Sequence, residues 1–104
     1  MAITSSALIT SAANIYVSTT AVGDAVTTMY FCNRSASTTT FNLYLVPNGG
    51  TAGVNNIAYS NKLITAGDTY IIDWEKLVLG PGDMIQANSN VANAIVASVS
   101  TIGV

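Results

Sequence analysis

The stretch Thr38-Thr39-Thr40-Phe41-Asn42-Leu43-Tyr44-Leu45-Val46-Pro47-Asn48-Gly49-Gly50 sets Phe41, Leu43 and Leu45 at alternate positions, then stops in a cluster of turn residues. Period-two alternation marks a strand that turns one side to a core. Proline, asparagine and glycine each supply turn geometry. The same grammar runs through the chain. Turn clusters at Gly23-Asp24, Asn33 to Ser37, Ala66-Gly67-Asp68, Gly80-Pro81-Gly82-Asp83 and Asn88-Ser89-Asn90 separate short runs rich in Thr, Val, Ile and Tyr, the residues that favour pleated strands. Residues 3–10, 14–18, 25–33, 38–46, 57–64, 69–74, 83–88 and 93–102 are predicted as strands, with a short Leu77 to Leu79 segment ahead of Asp83.

Short strands at regular spacing indicate a sandwich or barrel. The expected fold is all-β: one antiparallel two-sheet β-sandwich over residues 1–104, jelly-roll or immunoglobulin-like, with about eight strands. Residues 25–33 and 38–46 are expected to form a hairpin across Arg34 to Ser37. In the first of them Thr27, Met29 and Phe31 share one face, and Val26, Tyr30 and Cys32 the other. Tyr70, Ile72 and Trp74 repeat the alternation later, with Ile71 opposite. The predicted core is Phe31, Phe41, Leu43, Leu45, Ile72, Trp74, Ile85 and Val96, with turns set by Gly67, Gly80, Pro81 and Gly82. Gly80-Pro81-Gly82-Asp83 suits a type II turn, since proline pre-sets the first central residue and glycine accepts positive φ at the second. Pro47 to Asn56, without a charge, reads as an exposed loop.

Composition removes most chemistry. The 104 residues include no histidine, one cysteine, three basic and five acidic side chains, for a net charge of −2, while half are hydrophobic. The basic residues Arg34, Lys62 and Lys76 are too few to neutralise a row of phosphates, so neither nucleic acid nor an anionic membrane is an expected partner. No apolar run approaches the ~20 residues of a membrane-spanning helix, and residues 1–16 lack the basic and apolar regions of a secretory signal. Nucleophilic chemistry built on Ser-His-Asp or Cys-His needs the missing histidine. Cys32, within Met29-Tyr30-Phe31-Cys32, reads as a small packed thiol.

Four weaker constellations remain. Lys62 or Lys76 could serve a serine as base, though no motif accompanies them. Asp73 and Glu75 lie two apart, so on one strand they would share a face, as a pair of carboxylates for glycoside hydrolysis; a solvated strand end or turn is the stronger explanation of this most charged tetrapeptide, Asp73-Trp74-Glu75-Lys76. Asp24, Asp68 and Asp83 could offer oxygens to calcium if their loops converged, but each follows a glycine, which is ordinary turn chemistry. Trp74 with Tyr70, Tyr59 or Tyr16 could stack on a sugar ring, which makes Trp74, Tyr70 and Tyr59 the candidate glycan-binding residues. No cofactor or metal is expected.

Eight charged residues are about a third of the usual share, and several strands are apolar on both faces. An antiparallel sheet exposed to water alternates polar outside with apolar inside. The excess predicts a homo-oligomer or a place in a larger shell, covering faces such as Val26, Tyr30 and Cys32 or Ile71 and Val99.

The segment Leu63-Ile64-Thr65-Ala66-Gly67-Asp68-Thr69-Tyr70-Ile71-Ile72, then Leu77-Val78-Leu79-Gly80-Pro81-Gly82-Asp83-Met84-Ile85-Gln86-Ala87 and the strand Ile95 to Ser100, resembles small β-sandwich structural proteins of tailed bacteriophage virions. The resemblance covers roughly residues 60–102. It implies a non-enzymatic subunit of a head, neck, tail or fibre that decorates or caps an assembly. Its partners would be copies of itself and other virion structural proteins, and its location the virion, after synthesis in a host cytoplasm. No functional residue transfers. The alternative is a glycan-binding module of an adhesin or receptor-binding tip.

Overall fold

A computed structural model describes residues 2–19, 23–73 and 77–103, and within them the alternating runs become nine strands. These are β1 (Ala2–Ala7), β2 (Ala13–Val17), β3 (Asp24–Asn33), β4 (Thr39–Val46), β5 (Ile57–Ile64), β6 (Thr69–Ile72), β7 (Leu77–Leu79), β8 (Met84–Ser89) and β9 (Ile95–Gly103). Every pairing is antiparallel. The first sheet runs β1-β9-β3-β6, with β7 also alongside β3, and the second runs β2-β8-β4-β5.

The pairings nest. β1 lies on β9, β2 on β8, β3 on β7 and β6, and β4 on β5, as in one long antiparallel ribbon folded at its middle. Two further pairings, β9 with β3 and β8 with β4, roll that ribbon into two layers. This is the winding of a jelly roll, a double-sheet answer to the unpaired edges of a single sheet.

Facing apolar sides make the core. Phe31 of β3 and Phe41 of β4 stack across the layers with ring centroids 4.4 Å apart and planes 11° from parallel. Leu43, Ile85, Ile95, Ala97 and Val99 close around them, fully buried. Burying a side chain of Leu or Phe size is worth about 1.5–3 kcal/mol, so these few positions carry much of the fold.

The expected hairpin of β3 with β4 does not form: the two strands lie in different sheets, and β4 pairs with β5 across the 47–56 connection. Asn33 gives the reason. Its Nδ2 donates to the carbonyls of Ser37 and Ile64, both at 2.8 Å, and its Oδ1 accepts from Ser35 N at 3.0 Å and Ser35 Oγ at 2.7 Å. Its backbone N–H reaches Asp68 O while its carbonyl takes Gly67 N, each at 2.9 Å. This buried amide turns residues 34–38 into an arch between layers, which lets the apolar faces of β3 and β4 meet rather than lie side by side.

Three phase errors share a cause in strand irregularity or register. Thr27 is the extra residue of a bulge in β3, where the pairing with β9 slips between Val26 and Thr28. The slip turns Val26 inward, against the expectation that it shares an outer face with Tyr30 and Cys32. In β9 the core residues are Ile95, Ala97 and Val99, so Val96 faces outward beside Cys32, and Val99, expected on an outer flank, is buried. Leu45 and Ile72 face inward but are only half-buried. Trp74 lies outside the described residues.

The turns follow their chemistry. Asp83 N reaches Gly80 O at 3.1 Å with Gly82 at φ +84°, the expected type II turn. Asp68 N reaches Thr65 O at 3.0 Å with Gly67 at φ +75°.

Candidate functional site

The outward side of the first sheet is built by five strands whose alternate residues carry no charge. One row across it is Ser5, Ser98, Tyr30 and Ile71; the next toward β7 is Ile3, Ser100 and Thr28. Ile102, Ala25 and Val78 form a third, and Ala7, Val96, Cys32 and Thr69 a fourth beyond Tyr30. Ile3 is 73% exposed and Val78 64%, with Tyr30, Ile71 and Ile102 also exposed. Around Tyr30 lies a depression of about 320 Å³ lined by Ile3, Thr28, Ser98 and Ser100. Short hydroxyls hold one another in place: Ser5 Oγ lies 3.2 Å from Ser98 Oγ, and Thr27 Oγ1 donates to Ser100 O at 3.1 Å. The surface is therefore level, short-chained, neutral and greasy, qualities that exposed surface ordinarily lacks. Cys32, expected to be packed away, is half-buried on this same side.

The outward side of the second sheet differs. Gln86 Nε2 donates to Asn14 Oδ1 at 2.8 Å, Asn42 Nδ2 to Asn88 Oδ1 at 2.9 Å, and Asn61 N to Asn42 Oδ1 at 2.7 Å. Amides that bond to one another make a polar, uncharged coat suited to water.

The candidate glycan residues Tyr59 and Tyr70 do come together, where β5 and β6 edge the two layers. Their rings meet edge to face at 5.8 Å, both lean on Phe41 at 6.4 and 6.3 Å, and Lys62 Nζ sits 4.6 Å over the Tyr70 ring. Burial, then hydrogen bonding to Tyr70, pushes the Tyr59 hydroxyl above its ordinary pKa. Both rings are half-buried and packed against the core, and a cation covers Tyr70, so the cluster closes the open edge of the sandwich. Trp74, the third candidate, lies outside the described residues.

Three carboxylates, those of Asp24, Asp68 and Asp83, are spent on structure. Asp24 is 5% exposed and its Oδ2 accepts from Tyr16 Oη at 2.5 Å and Ser18 Oγ at 3.2 Å. Burial first, then the bond to Asp24, raises the Tyr16 pKa. Asp83 takes Asn48 N and Gly80 N at 2.9 Å each, and Asp68 takes Thr69 N at 3.0 Å. Among the described residues no three His, Cys, Asp or Glu side chains gather as a metal site would require. Asp73 is exposed, while Glu75 and Lys76 fall outside the described residues. Sequence reasoning missed two polar centres, the Tyr16-Ser18-Asp24 group and the Asn33 arch. The second had a visible signal in Asn33-Arg34-Ser35, an asparagine placed to bond its own backbone two residues on.

Compared with protein-family models, with curated proteins and with solved structures, the chain matches none.

Proposed function

We propose that this chain is a non-enzymatic structural subunit of a bacteriophage virion, which oligomerises and decorates or caps a larger assembly. The observation that carries the reading is the charge-free outward side of the first sheet. Water-facing sheet surfaces are ordinarily polar, as the amide coat of the second sheet is, and one that exposes Ile3, Tyr30, Ile71, Val78 and Ile102 gains by being covered, at about 25 cal/mol per Å² of apolar area removed from water. Capsid proteins and lectins both use jelly-roll winding, so the winding alone does not choose between assembly and sugar binding. Assembly is favoured by the neutral lining of the depression around Tyr30 and by the engagement of the Tyr59–Tyr70 edge cluster with the core. The resemblance of residues 60–102 to virion sandwiches supplies the particular assembly.

The test is electron microscopy of the purified protein over a concentration series, with a glycan array alongside. Rings or sheets of regularly repeated copies support the reading. Dispersed single particles overturn it, as does glycan binding lost in Tyr70→Ala while the fold persists.

A further inference from the structure

We propose that the free edge of β1 is a second assembly contact, at which β1 of another copy adds in antiparallel register. The inference rests on the assembly reading above and extends it from a face to an edge.

Sheet edges in stable proteins are blunted by charge, proline, bulges or brevity. Three of the four edges here carry such a device. β2 breaks register between Asn14 and Tyr16; β5 breaks it twice, holds Asn61 at φ 51° and carries Lys62; β6 and β7 are four and three residues long. β1 has none. It runs six residues, Ala-Ile-Thr-Ser-Ser-Ala, in unbroken register with β9, and among the described residues it has no second strand partner.

The register says which groups are free. Leu8 N donates to Ile95 O at 2.8 Å, so residues 8, 6 and 4 aim their backbone groups at β9. The N–H and C=O groups of Ile3, Ser5 and Ala7 therefore point away from the sheet. A two-fold axis at Ser5 would set Ser5 against its own counterpart and Ile3 against Ala7, each facing pair exchanging two backbone hydrogen bonds. Large meets small and hydroxyl meets hydroxyl. No like charges meet at the axis, which is why a second copy is the occupant.

Area supports the same conclusion. Four strands about 4.8 Å apart and about seven residues at about 3.3 Å give the outward face a footprint on the order of 450 Å². Stacking two single copies thus removes about 900 Å² from water, just under the ~1,000 Å² that a specific interface needs. Edge pairing at β1 puts both outward faces on one side of a continuous sheet and doubles the footprint, bringing face-to-face contact into the ordinary range.

The test is Ser5→Pro, which removes an N–H directed away from β9 and leaves the β1–β9 ladder whole. Particle mass by light scattering should fall by at least half relative to the parent, with an unchanged circular dichroism spectrum. Hydrogen exchange on the parent protein gives a second readout: the amides of Ile3, Ser5 and Ala7 should be protected in the assembly and lose protection on dilution. Fast exchange of those three amides in an intact assembly overturns the edge contact and leaves the face standing. A parent chain that is monomeric throughout overturns both.

Discussion

Replacing Asn33 by aspartate changes one NH₂ group to oxygen without changing shape. In the parent, that NH₂ donates to the carbonyls of Ser37 and Ile64, both at 2.8 Å, from a side chain with no exposed surface. The variant faces both carbonyls with a carboxylate oxygen. The Ile64 carbonyl is orphaned at about 1–3 kcal/mol, while the exposed Ser37 carbonyl keeps Ser35 Oγ at 2.9 Å. With a comparable cost for a buried charge set against acceptors, Asn33→Asp should lose about 2–6 kcal/mol at pH 7, a large part of the ~5–15 kcal/mol that holds a domain together. With about 4–8 °C per kcal/mol at this size, melting should fall by at least about 8 °C.

The loss should depend on pH. Burial among acceptors raises the new carboxyl above its unfolded value of about 3.9, so the folded state binds the proton more tightly. Below about pH 3.9 the acid is protonated in both states, its O–H restores one of the two bonds, and the penalty shrinks to roughly half. As pH rises toward the raised folded value the penalty grows. Thermal melts of parent and variant at pH 3 and pH 7, at one protein concentration, read this directly. A penalty under about 1 kcal/mol at pH 7, or one equal at both pH values, refutes the role given to Asn33.

Other consequences are as direct. Phe41→Ala removes the ring stacked on Phe31 and should cost about 3–5 kcal/mol by urea denaturation. Tyr16→Phe deprives the buried Asp24 of one of the two side-chain donors it has among the described residues and should cost about 1.5–3 kcal/mol near neutral pH. Because Tyr16 and Tyr59 have raised folded pKa values, their contribution is whole below about pH 10 and lost as pH rises through those values. An alkaline stability series on Tyr59→Phe should accordingly be flatter than the parent's. Gly67 and Gly82 both have positive φ, but a Cβ at Gly67 meets open space while one at Gly82 comes within 2.5 Å of Asn48 Cγ. Gly82→Ala should therefore lower the melting temperature more than Gly67→Ala, which should cost about 1 kcal/mol.

Strands and turns were legible because each is written locally. The alternation of Phe41 and Leu43 and the type II turn at Gly80-Pro81-Gly82-Asp83 need nothing beyond their own neighbours, and both appear as read. Partner choice was not, since the two strands flanking Arg34 look like a hairpin until Asn33 is seen bonding Ile64, thirty-one positions away. Inward and outward faces failed where a bulge broke the period at Thr27 and at the shift of one position that exchanged Val96 for Ile95 and Ala97. At the candidate site, composition foretold unusually little charge but not its distribution. The assembled sheet gathers Ile3, Tyr30, Ile71, Val78 and Ile102, far apart in the chain, onto one side.

Neighbouring copies are expected to cover that side. Tyr30 stands near its middle and beside the depression, so Tyr30→Glu places a charge where the contact would have to bury it. Light scattering across a concentration series should show multimers for the parent and a much smaller particle for Tyr30→Glu, with matching circular dichroism spectra. A parent that stays monomeric at the highest concentration, or a Tyr30→Glu variant that assembles as the parent does, would contradict it.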